Sequence, residues 1–416
     1  EYGTLSEAFE KAASGNTIFV MQDVTESAIA ELKDEKDVTL NTNVYTINMG
    51  YYYIKNSNNG TLTITGDGII SSSSSYLKNM YGIYNSSSGV INIEGGIINS
   101  ISSCNGSSHF GSRGVYNGSK GTINIKGGTI NSSSSGSCES IGVENYSTGT
   151  INIIGGTINS SSDKGISSGV FEEGGTTNIE GGTINSSSNS GVSHGVYEHS
   201  SGGIVNIGVE DSEVSTTTPV IKSKSSNGNS YGVFNSSNYS DGIINIEGGT
   251  IDSSSGSGKS CGVYNRSGGI INIGAEDAEV STTTPVIRNE SSGNVIYNSS
   301  NDGKISFFDG IIEDSESISQ LINIENYITT IPEGYKIKYG TKFEEKKYYT
   351  ATLGQGDTYE EYSGETLINT YETLQDAFDN AISGNTIKLT DNTLETKSLC
   401  IVLSISDLEK LKQNLI

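Results

Sequence analysis

Several residue types are scarce in this chain of 416 residues: tryptophan is absent, proline occurs 3 times and cysteine 4 times. Collagen is excluded, because it needs abundant proline and a three-residue glycine period. Long apolar runs are missing too, since none approaches the roughly 18 residues that a transmembrane helix needs. Hydrophobic residues make up 33% of the chain, a low share that is compatible with disorder. The order of the residues indicates a folded protein instead.

Basic residues are also scarce. The chain has 24 Lys and Arg against 48 Asp and Glu, which gives a formal net charge of −24. Nucleic-acid binding needs clustered basic side chains to neutralise phosphates, so we expect no nucleic-acid partner. We also expect no membrane insertion within this chain, and a solvated exterior that repels anionic surfaces.

The dominant positive feature is an internal repeat of about 30 residues, inside the range typical of solenoids. The segment from Gly121 to Asn131 returns as the segment from Gly149 to Asn159. Each copy has a glycine, a short aliphatic stretch, a Gly-Gly pair and a second aliphatic stretch. Further copies begin at Gly89, Gly175, Gly203, Gly242 and Gly269, with degenerate copies at Gly60 and Gly303.

The pattern within each repeat is typical of strands. Ile123 and Ile125 flank a polar Asn124, a two-residue alternation in a β-branched segment. A serine-rich stretch and a third strand, for example Gly114 to Asn117, complete the repeat. Stacked repeats place Ile on Ile about 4.8 Å away and bury a core that one repeat cannot form alone. We predict an all-β fold, a parallel β-helix solenoid, right-handed because of the general crossover preference.

An N-terminal helix is expected to cap the first coil. Thr4 and Glu7 form a capping box, and four residues make one apolar face: Leu5, Ala8, Phe9 and Ala12. The same pattern returns at Tyr371 to Ile387. We therefore divide the chain into a cap helix with first coils (1–59), a β-helix repeat region (60–312), a closing cap or connector (313–370) and the truncated start of a second module (371–416). The chain is expected to be part of a longer multi-module polypeptide.

These motifs resemble bacterial adhesin-like surface proteins with a pectate-lyase-like β-helix. The segments that carry the resemblance are Thr4-Leu5 to Thr17-Ile18, Val38 to Asn41, Tyr45 to Asn48, Gly60 to Ile64, the Gly-Val-Tyr-Asn strands, Phe307 to Gly310 and Ile331 to Tyr335. The resemblance covers almost the whole chain and implies a location outside the cell or on the bacterial surface. It specifies the fold more than the function, because one such frame hosts lyases, hydrolases, adhesins and spacers.

Catalysis is not expected. A polysaccharide lyase needs a basic residue beside acidic Ca²⁺ ligands, and a hydrolase needs paired carboxylates. Three arginines occupy different phases of the coil, and none has an acidic cluster at the same phase in an adjacent coil: Arg113, Arg266 and Arg288. The histidines are likewise out of phase: His109, His194 and His199. A carbohydrate-active enzyme and a ligand-free spacer remain the alternatives to a binding module.

Two nearly identical acidic segments depart from the repeat, Gly208 to Ile221 and Gly274 to Ile287. Their carboxylates are candidate Ca²⁺ ligands: Glu210, Asp211, Glu213, Glu276, Asp277 and Glu279. The simpler interpretation is a solvated acidic loop, because the spacing matches no known calcium loop. We expect no other cofactor.

One position per coil is aromatic and has a neighbour of inward parity, so its ring is expected to point outward. The candidate ligand-binding residues are Tyr116, Tyr197, Phe234 and Tyr264. The alternative is a structural ladder of ring contacts, and Glu144 interrupts the row. A second column is expected to be an amide ladder between coils: Asn92, Asn124, Asn152, Asn178, Asn206, Asn245 and Asn272.

The cysteines have no metal-ligand spacing. Cys104 and Cys138 lie in the serine-rich stretches of adjacent coils and could pair, although at different phases. The alternative is that the thiols are free. The sequence thus predicts a non-catalytic surface module for adhesion or display, which binds a glycan or a host protein through its outer strand faces and serine loops.

Overall fold

The computed structural model describes residues 1–75, 79–104, 111–199, 202–208, 218–236, 242–276, 280, 284–316, 321–340, 348–355, 358–371, 374–382, 384–390 and 402–404. Over these residues the backbone winds into about nine stacked turns. Each regular turn contributes one strand to each of three sheets, and each strand pairs in parallel with its equivalents in the neighbouring turns. The predicted all-β parallel β-helix with an N-terminal helix is confirmed.

Eleven strands form the first sheet: Asn16–Phe19, Val38–Asn41, Thr61–Thr65, Val90–Ile93, Thr122–Ile125, Thr150–Ile153, Thr176–Ile179, Ile204–Ile207, Ile243–Ile246, Ile270–Ile273 and Lys304–Phe307. Thirteen form the second: Val24–Thr25, Thr46–Gly50, Ile69–Ser74, Ile97–Cys104, Thr129–Gly136, Thr157–Ser162, Thr183–Ser188, Val220–Ser225, Thr250–Ser255, Val286–Asn289, Ile311–Asp314, Tyr349–Gln355 and Tyr335–Gly340. Ten form the third: Ala30–Leu32, Ile54–Asn56, Met80–Asn85, Gly111–Asn117, Glu139–Asn145, Ser167–Glu172, Ser193–Glu198, Ser230–Asn235, Ser260–Asn265 and Ile296–Asn298.

The register between turns places equivalent residues directly above one another. Ile123 lies between Ile91 and Ile151, and all three are 0% exposed. Burying such a side chain contributes roughly 1.5–3 kcal/mol relative to leaving it exposed. A column of aliphatic side chains along the axis therefore forms the core, although hydrophobic residues are only a third of the chain.

The serine-rich stretches are strands rather than the loops that the sequence predicted, and they bury alternate serines at the corner between the second and third sheets. Their hydroxyls form a continuous hydrogen-bonded row, here called the serine file, with Oγ–Oγ distances of 2.7–3.2 Å. Each hydroxyl in the file can donate one bond and accept others, so these polar groups are satisfied inside the molecule. The file contains Ser100, Ser112, Ser132, Ser140, Ser160, Ser167, Ser186, Ser193, Ser223, Ser230, Ser253 and Ser260.

The outer face of the first sheet carries the predicted amide ladder. Each Asn side chain from Asn124 to Asn272 donates from Nδ2 to Oδ1 of its counterpart in the turn before, at 2.8–2.9 Å. This prediction is confirmed.

A second row of amides lies inside the third sheet and was not predicted. It runs through Asn56, Asn85, Asn117 and Asn145. It then reaches Glu172, which is 0% exposed. Four donors converge on this carboxylate at 2.6–2.9 Å: the amides of Gly174 and Gly175, Asn145 Nδ2 and Thr177 Oγ1. Burial raises the pKa of Glu172, and these hydrogen bonds oppose the shift.

The N-terminal helix spans Leu5–Lys11, and its apolar face is buried against the first turn. Thr4 Oγ1 accepts from the Glu7 amide at 3.1 Å, and Glu7 Oε2 accepts from the Gly3 amide at 3.2 Å. The predicted capping box is therefore present, with Gly3 rather than Thr4 as the donor to Glu7.

At the other end, the last solenoid strand, Ile311–Asp314, pairs antiparallel with Tyr349–Gln355. A 3₁₀ turn, Asn323–Asn326, lies between them in sequence. A fourth sheet follows, with the order Thr366–Tyr371, Thr358–Ser363, Thr386–Thr390 and Val402–Ser404. A second helix, Leu374–Asn380, precedes the third of these strands.

Candidate binding face on the third sheet

The outer face of the third sheet carries a ladder of aromatic rings, here called the ring column. Neighbouring rings have centroids 5.0–5.2 Å apart, close to the rise of one turn. The spacing follows from the parallel register, which stacks equivalent residues of successive turns. The ring column contains Tyr84, Tyr116, Phe171, Tyr197, Phe234, Tyr264 and Tyr297.

The sequence did not predict a second outward column on this sheet, here called the flanking column. Its members precede the glycine of each Gly-Val-Tyr-type strand, and they vary in type: Tyr81, Arg113, Ile141, Ser168, His194, Tyr231 and Cys261. The two columns pack side by side; the rings of Tyr231 and Phe234, for example, lie 5.1 Å apart. Each column thereby covers part of the other, and most of this face is half-buried.

The glycine between the columns is required by the close approach of the sheets. A Cβ added at Gly169 would clash with Cγ2 of Ile184 in the second sheet, and it would lie 2.6 Å from the carbonyl oxygen of Gly195 in the next turn. The same clash with an isoleucine recurs at the equivalent glycines. This invariant feature of the repeat is therefore a packing requirement.

An ion pair fills the interruption in the ring column. Glu144 is 3% exposed, and its Oε2 lies 2.7 Å from Nε of Arg113, one turn earlier. Arg113 also donates from Nη1 to Asn79 Oδ1 at 3.0 Å. Burial raises the pKa of the Glu144 carboxyl, and the Arg113 guanidinium opposes that shift. The pair is thus a buried structural contact that replaces a ring.

His194 is the most deeply buried titratable group of the flanking column. Its ring lies 4.5 Å from that of Tyr197 and 5.0 Å from that of Phe234, almost parallel to the latter at 6°. Burial lowers the pKa of His194 to about 3. Its imidazole is therefore neutral over the physiological range.

The four ring-column candidates differ in accessibility. Tyr116, Tyr197 and Tyr264 are half-buried, whereas Phe234 is only 6% exposed. His194 and the neighbouring rings cover Phe234, so its ring offers less surface to a ligand than the three tyrosines do. Burial raises the pKa of Tyr116 and of Tyr197, so their hydroxyls are protonated donors at neutral pH.

Most of the candidate calcium ligands lie outside the described residues: Glu210, Asp211, Glu213, Asp277 and Glu279. Glu276 is described and is exposed. Within the part of the chain that the structure describes, no group of three or more His, Cys, Asp or Glu side chains is placed to hold a metal ion. The calcium site stays a prediction.

Arg288 corrects one expectation. It lies in register between Asp252 and Glu313 of the adjacent turns, on the outer face of the second sheet. Its Nη1 is 2.9 Å from Asp252 Oδ1, and its Nε is 2.6 Å from Glu313 Oε2. The guanidinium also lies 4.6 Å from the ring centroid of Tyr348. The expectation that no arginine has acidic residues at its own phase was wrong, because turns of unequal length hide the register.

Cys138 and Cys261, the two cysteines whose side chains are described, are in different states. Cys138 is disulfide-bonded, whereas Cys261 is a buried free thiol in the flanking column. Burial raises the pKa of Cys261, which makes it a poor nucleophile at neutral pH. The alternative prediction, that the thiols are free, is therefore wrong for Cys138.

Comparisons with family models, curated proteins and solved structures find no match. The geometry alone defines the class: the chain is a parallel β-helix repeat protein. No helix among the described residues is long and apolar enough to cross a membrane.

Proposed function

We propose that this β-helix is a non-catalytic module for adhesion or display, located outside the cell or on a bacterial surface. It binds a glycan or a host protein through the outer face of the third sheet. The observation that carries the proposal is the distribution of hydroxyls in the ring column. Phe234 is the buried ring of the column and has no hydroxyl, whereas five of the six half-buried rings are tyrosines and the sixth is Phe171. Ring packing alone does not need those hydroxyls.

Tyrosine suits such a surface because it combines a rigid apolar ring with a hydrogen-bonding group. It is enriched in interface cores for this reason. Beside the column, Tyr146 is 53% exposed, and its ring centroid lies 5.8 Å from that of Tyr116. A ligand along the rod would meet tyrosine hydroxyls one to three turns apart, at about 5 Å per turn, because Glu144, Phe171 and Phe234 interrupt the row.

The disulfide supports the proposed location. Disulfide bonds form and persist mainly in oxidising compartments, which include the exterior of bacterial cells. Cys138 is disulfide-bonded. The large negative charge, −24, is compatible with a solvated rod of this kind.

The alternative is a carbohydrate-active enzyme, a lyase or a hydrolase. Among the described residues, the group that most resembles such a catalytic site consists of Asp252, Arg288 and Glu313. Both carboxylates form ion pairs with the guanidinium, at 2.9 and 2.6 Å, so each already has a charged partner within the fold. We therefore favour the non-catalytic proposal.

Arrays of glycans and of host matrix proteins test the proposed binding. The informative variant combines Tyr116→Phe with Tyr264→Phe, because it removes two hydroxyls and keeps both rings packed. We expect at least about a tenfold loss of affinity, from two hydrogen bonds of roughly 1 kcal/mol each. Tyr51→Phe is the matched control, since Tyr51 is 46% exposed and lies outside the ring column. Unchanged binding by the double variant would refute this assignment.

The other two functions give different results. New reducing or unsaturated ends after incubation with pectins or host-type glycans would establish an enzyme. Failure to bind any array member, together with no cleavage, would favour a ligand-free spacer.

A further inference from the structure

The chain contains two copies of one helix-and-strand unit, and among the described residues a strand covers the outer edge of the second copy but not that of the first. In the first copy the helix Leu5–Lys11 precedes the strand Asn16–Phe19. In the second the helix Leu374–Asn380 precedes the strand Thr386–Thr390. The two helices have the same length, and equivalent residues differ by a constant 369 in number, as Leu5 and Leu374 do.

In the second copy a β-hairpin covers the strand. Thr358–Ser363 pairs antiparallel with Thr386–Thr390 on one side and with Thr366–Tyr371 on the other. Glu361, 1% exposed, is the centre of the contact. Its Oε1 accepts from the Ile382 amide at 2.7 Å and from Asn385 Nδ2 at 2.6 Å.

Tyrosines complete this contact. Tyr371 donates its hydroxyl to Glu361 Oε2 at 2.7 Å. Tyr359, which pairs with Tyr371 in register, packs against the small apolar cluster of Tyr371, Ala377 and Ile387. The hairpin thus supplies one buried carboxylate and one ring to the helix-and-strand unit.

The first copy has the same receiving residues, and no strand in the described part of the chain covers them. Tyr2, the equivalent of Tyr371, is 54% exposed, against 7% for Tyr371. Asn16, the equivalent of Asn385, is exposed, whereas Asn385 is 7% exposed. A groove of about 540 Å³ lies here, lined among others by Tyr2, Leu5, Ala8, Asn16 and Phe19.

The free edge of the first strand faces away from the solenoid. Asn16–Phe19 pairs with Val38–Asn41, and the amide of Val20 donates to the carbonyl of Asn41 at 2.9 Å. Successive residues of a strand direct their hydrogen-bonding groups to opposite edges. The amides of Thr17 and Phe19 therefore point to the other edge, where no strand of the described residues lies.

The pairing with Val38–Asn41 leaves Tyr2 and Asn16 exposed, so their burial requires a strand on that free edge. An unpaired edge of this kind is a template for strand addition. We propose that the groove and free edge of Asn16–Phe19 bind an antiparallel β-hairpin with the chemistry of residues 358–370: an edge strand with a central glutamate and a tyrosine two residues before it.

In the bound state the glutamate accepts from the Ala13 amide, Asn16 Nδ2 and the Tyr2 hydroxyl. In the free state the Ala13 amide donates to Asn16 Oδ1 at 2.9 Å, so the side chain of Asn16 changes its partner on binding. The tyrosine fills the apolar part of the groove beside Ala8 and Ile18. This surface is distinct from the ring column and does not depend on the proposed function.

The test adds the hairpin to the full chain. The sequence of Thr358–Thr370 is joined directly before Tyr2 in place of Glu1, which reproduces the connection present in the second copy. Amide hydrogen exchange is then measured at Thr17 and Phe19 by mass spectrometry. We expect at least tenfold slower exchange at both amides than in the chain without the addition, and unchanged exchange at Ile151 in the middle of the solenoid.

The matched control is the same addition with two substitutions in the added hairpin, Tyr359→Ala and Glu361→Ala. We expect most of the protection to be lost. Unchanged exchange at Thr17 and Phe19 in the intact addition, with the far-UV circular dichroism of the β-helix preserved, would overturn the proposal. Equal protection by the substituted hairpin would overturn it too, because the cover would then be nonspecific.

Discussion

The buried imidazole of His194 makes a sharp prediction about pH. This residue is 3% exposed and is surrounded by Tyr197, Tyr231 and Phe234, whose rings carry no charge at neutral pH. The Ser168 hydroxyl lies 3.4 Å from Nδ1 of His194. Protonation would place a cation among these rings, where burial penalises the charged form.

The direction of the pH effect on the unfolding free energy follows from the difference between the folded and unfolded pKa values of His194. The pKa of His194 is lowered to about 3 in the folded state, whereas an unperturbed histidine has a pKa of about 6.5. The stability that the neutral form confers is complete above pH 6.5 and is lost as the pH falls from 6.5 towards 3. At pH 5 the loss from this one residue is about 2 kcal/mol of unfolding free energy.

The assay compares the chain with His194→Phe, which preserves the contacts with the surrounding rings. Urea unfolding is followed at pH 8 and pH 5 through tyrosine fluorescence, since the chain has no tryptophan. We expect the unsubstituted chain to lose about 2 kcal/mol more than the variant between the two pH values. Equal losses, within about 0.5 kcal/mol, would refute the claim that His194 is buried in its neutral form.

Three further predictions concern Gly169, Glu172 and the disulfide bond of Cys138. Gly169→Ala is expected to cost about 1–3 kcal/mol, because its Cβ would clash with Ile184; an unchanged melting temperature would contradict the packing between the sheets. Glu172→Gln is expected to cost about 1–3 kcal/mol, since its amide nitrogen would face donors, and denaturant unfolding would measure the loss. Non-reducing peptide mapping is expected to join Cys138 to Cys104, whose strand pairs with the strand just before Cys138. A linkage to another cysteine would show that the strand register is wrong there, and reduction should cost at most about 4 kcal/mol.

The sequence predicts the frame of the fold well, because that frame depends on local alternation. Ile123 and Ile125 flank Asn124, and this pattern correctly placed two residues in the core and one in an outer ladder. Neighbouring turns have the same pattern, so the register follows from matching like with like. The N-terminal helix could be predicted equally well, because the capping box of Thr4 and Glu7 depends only on residues close in sequence.

The serine file could not be predicted in the same way. Ser132 and Ser133 are neighbouring residues of the same type. Ser132 is nevertheless 2% exposed, whereas Ser133 is half-buried on the other face of the sheet. A serine contributes no apolar signal, and its burial is stable only when a hydroxyl from the next sheet is in reach. That partner is known only once the turns are stacked.

The arginine contacts were missed for a different reason. Arg288 is 36 residues after Asp252 but 25 residues before Glu313. A fixed period of about 30 residues misaligns both partners. The sequence did not predict the flanking column because its members differ in type from one turn to the next. Successive register partners are Ser168, His194, Tyr231 and Cys261.

The columns of this molecule also bear on how its size can change. A turn such as 149–174 meets both neighbours through rows of matching groups, so its removal would bring Asn124 against Asn178 and Ser140 near Ser186 with little change in chemistry. The interface between turns would survive, and the rod would shorten by about 4.8 Å. The solenoid can therefore become longer or shorter by one turn at a time, while the asparagine and serine rows between neighbouring turns are retained.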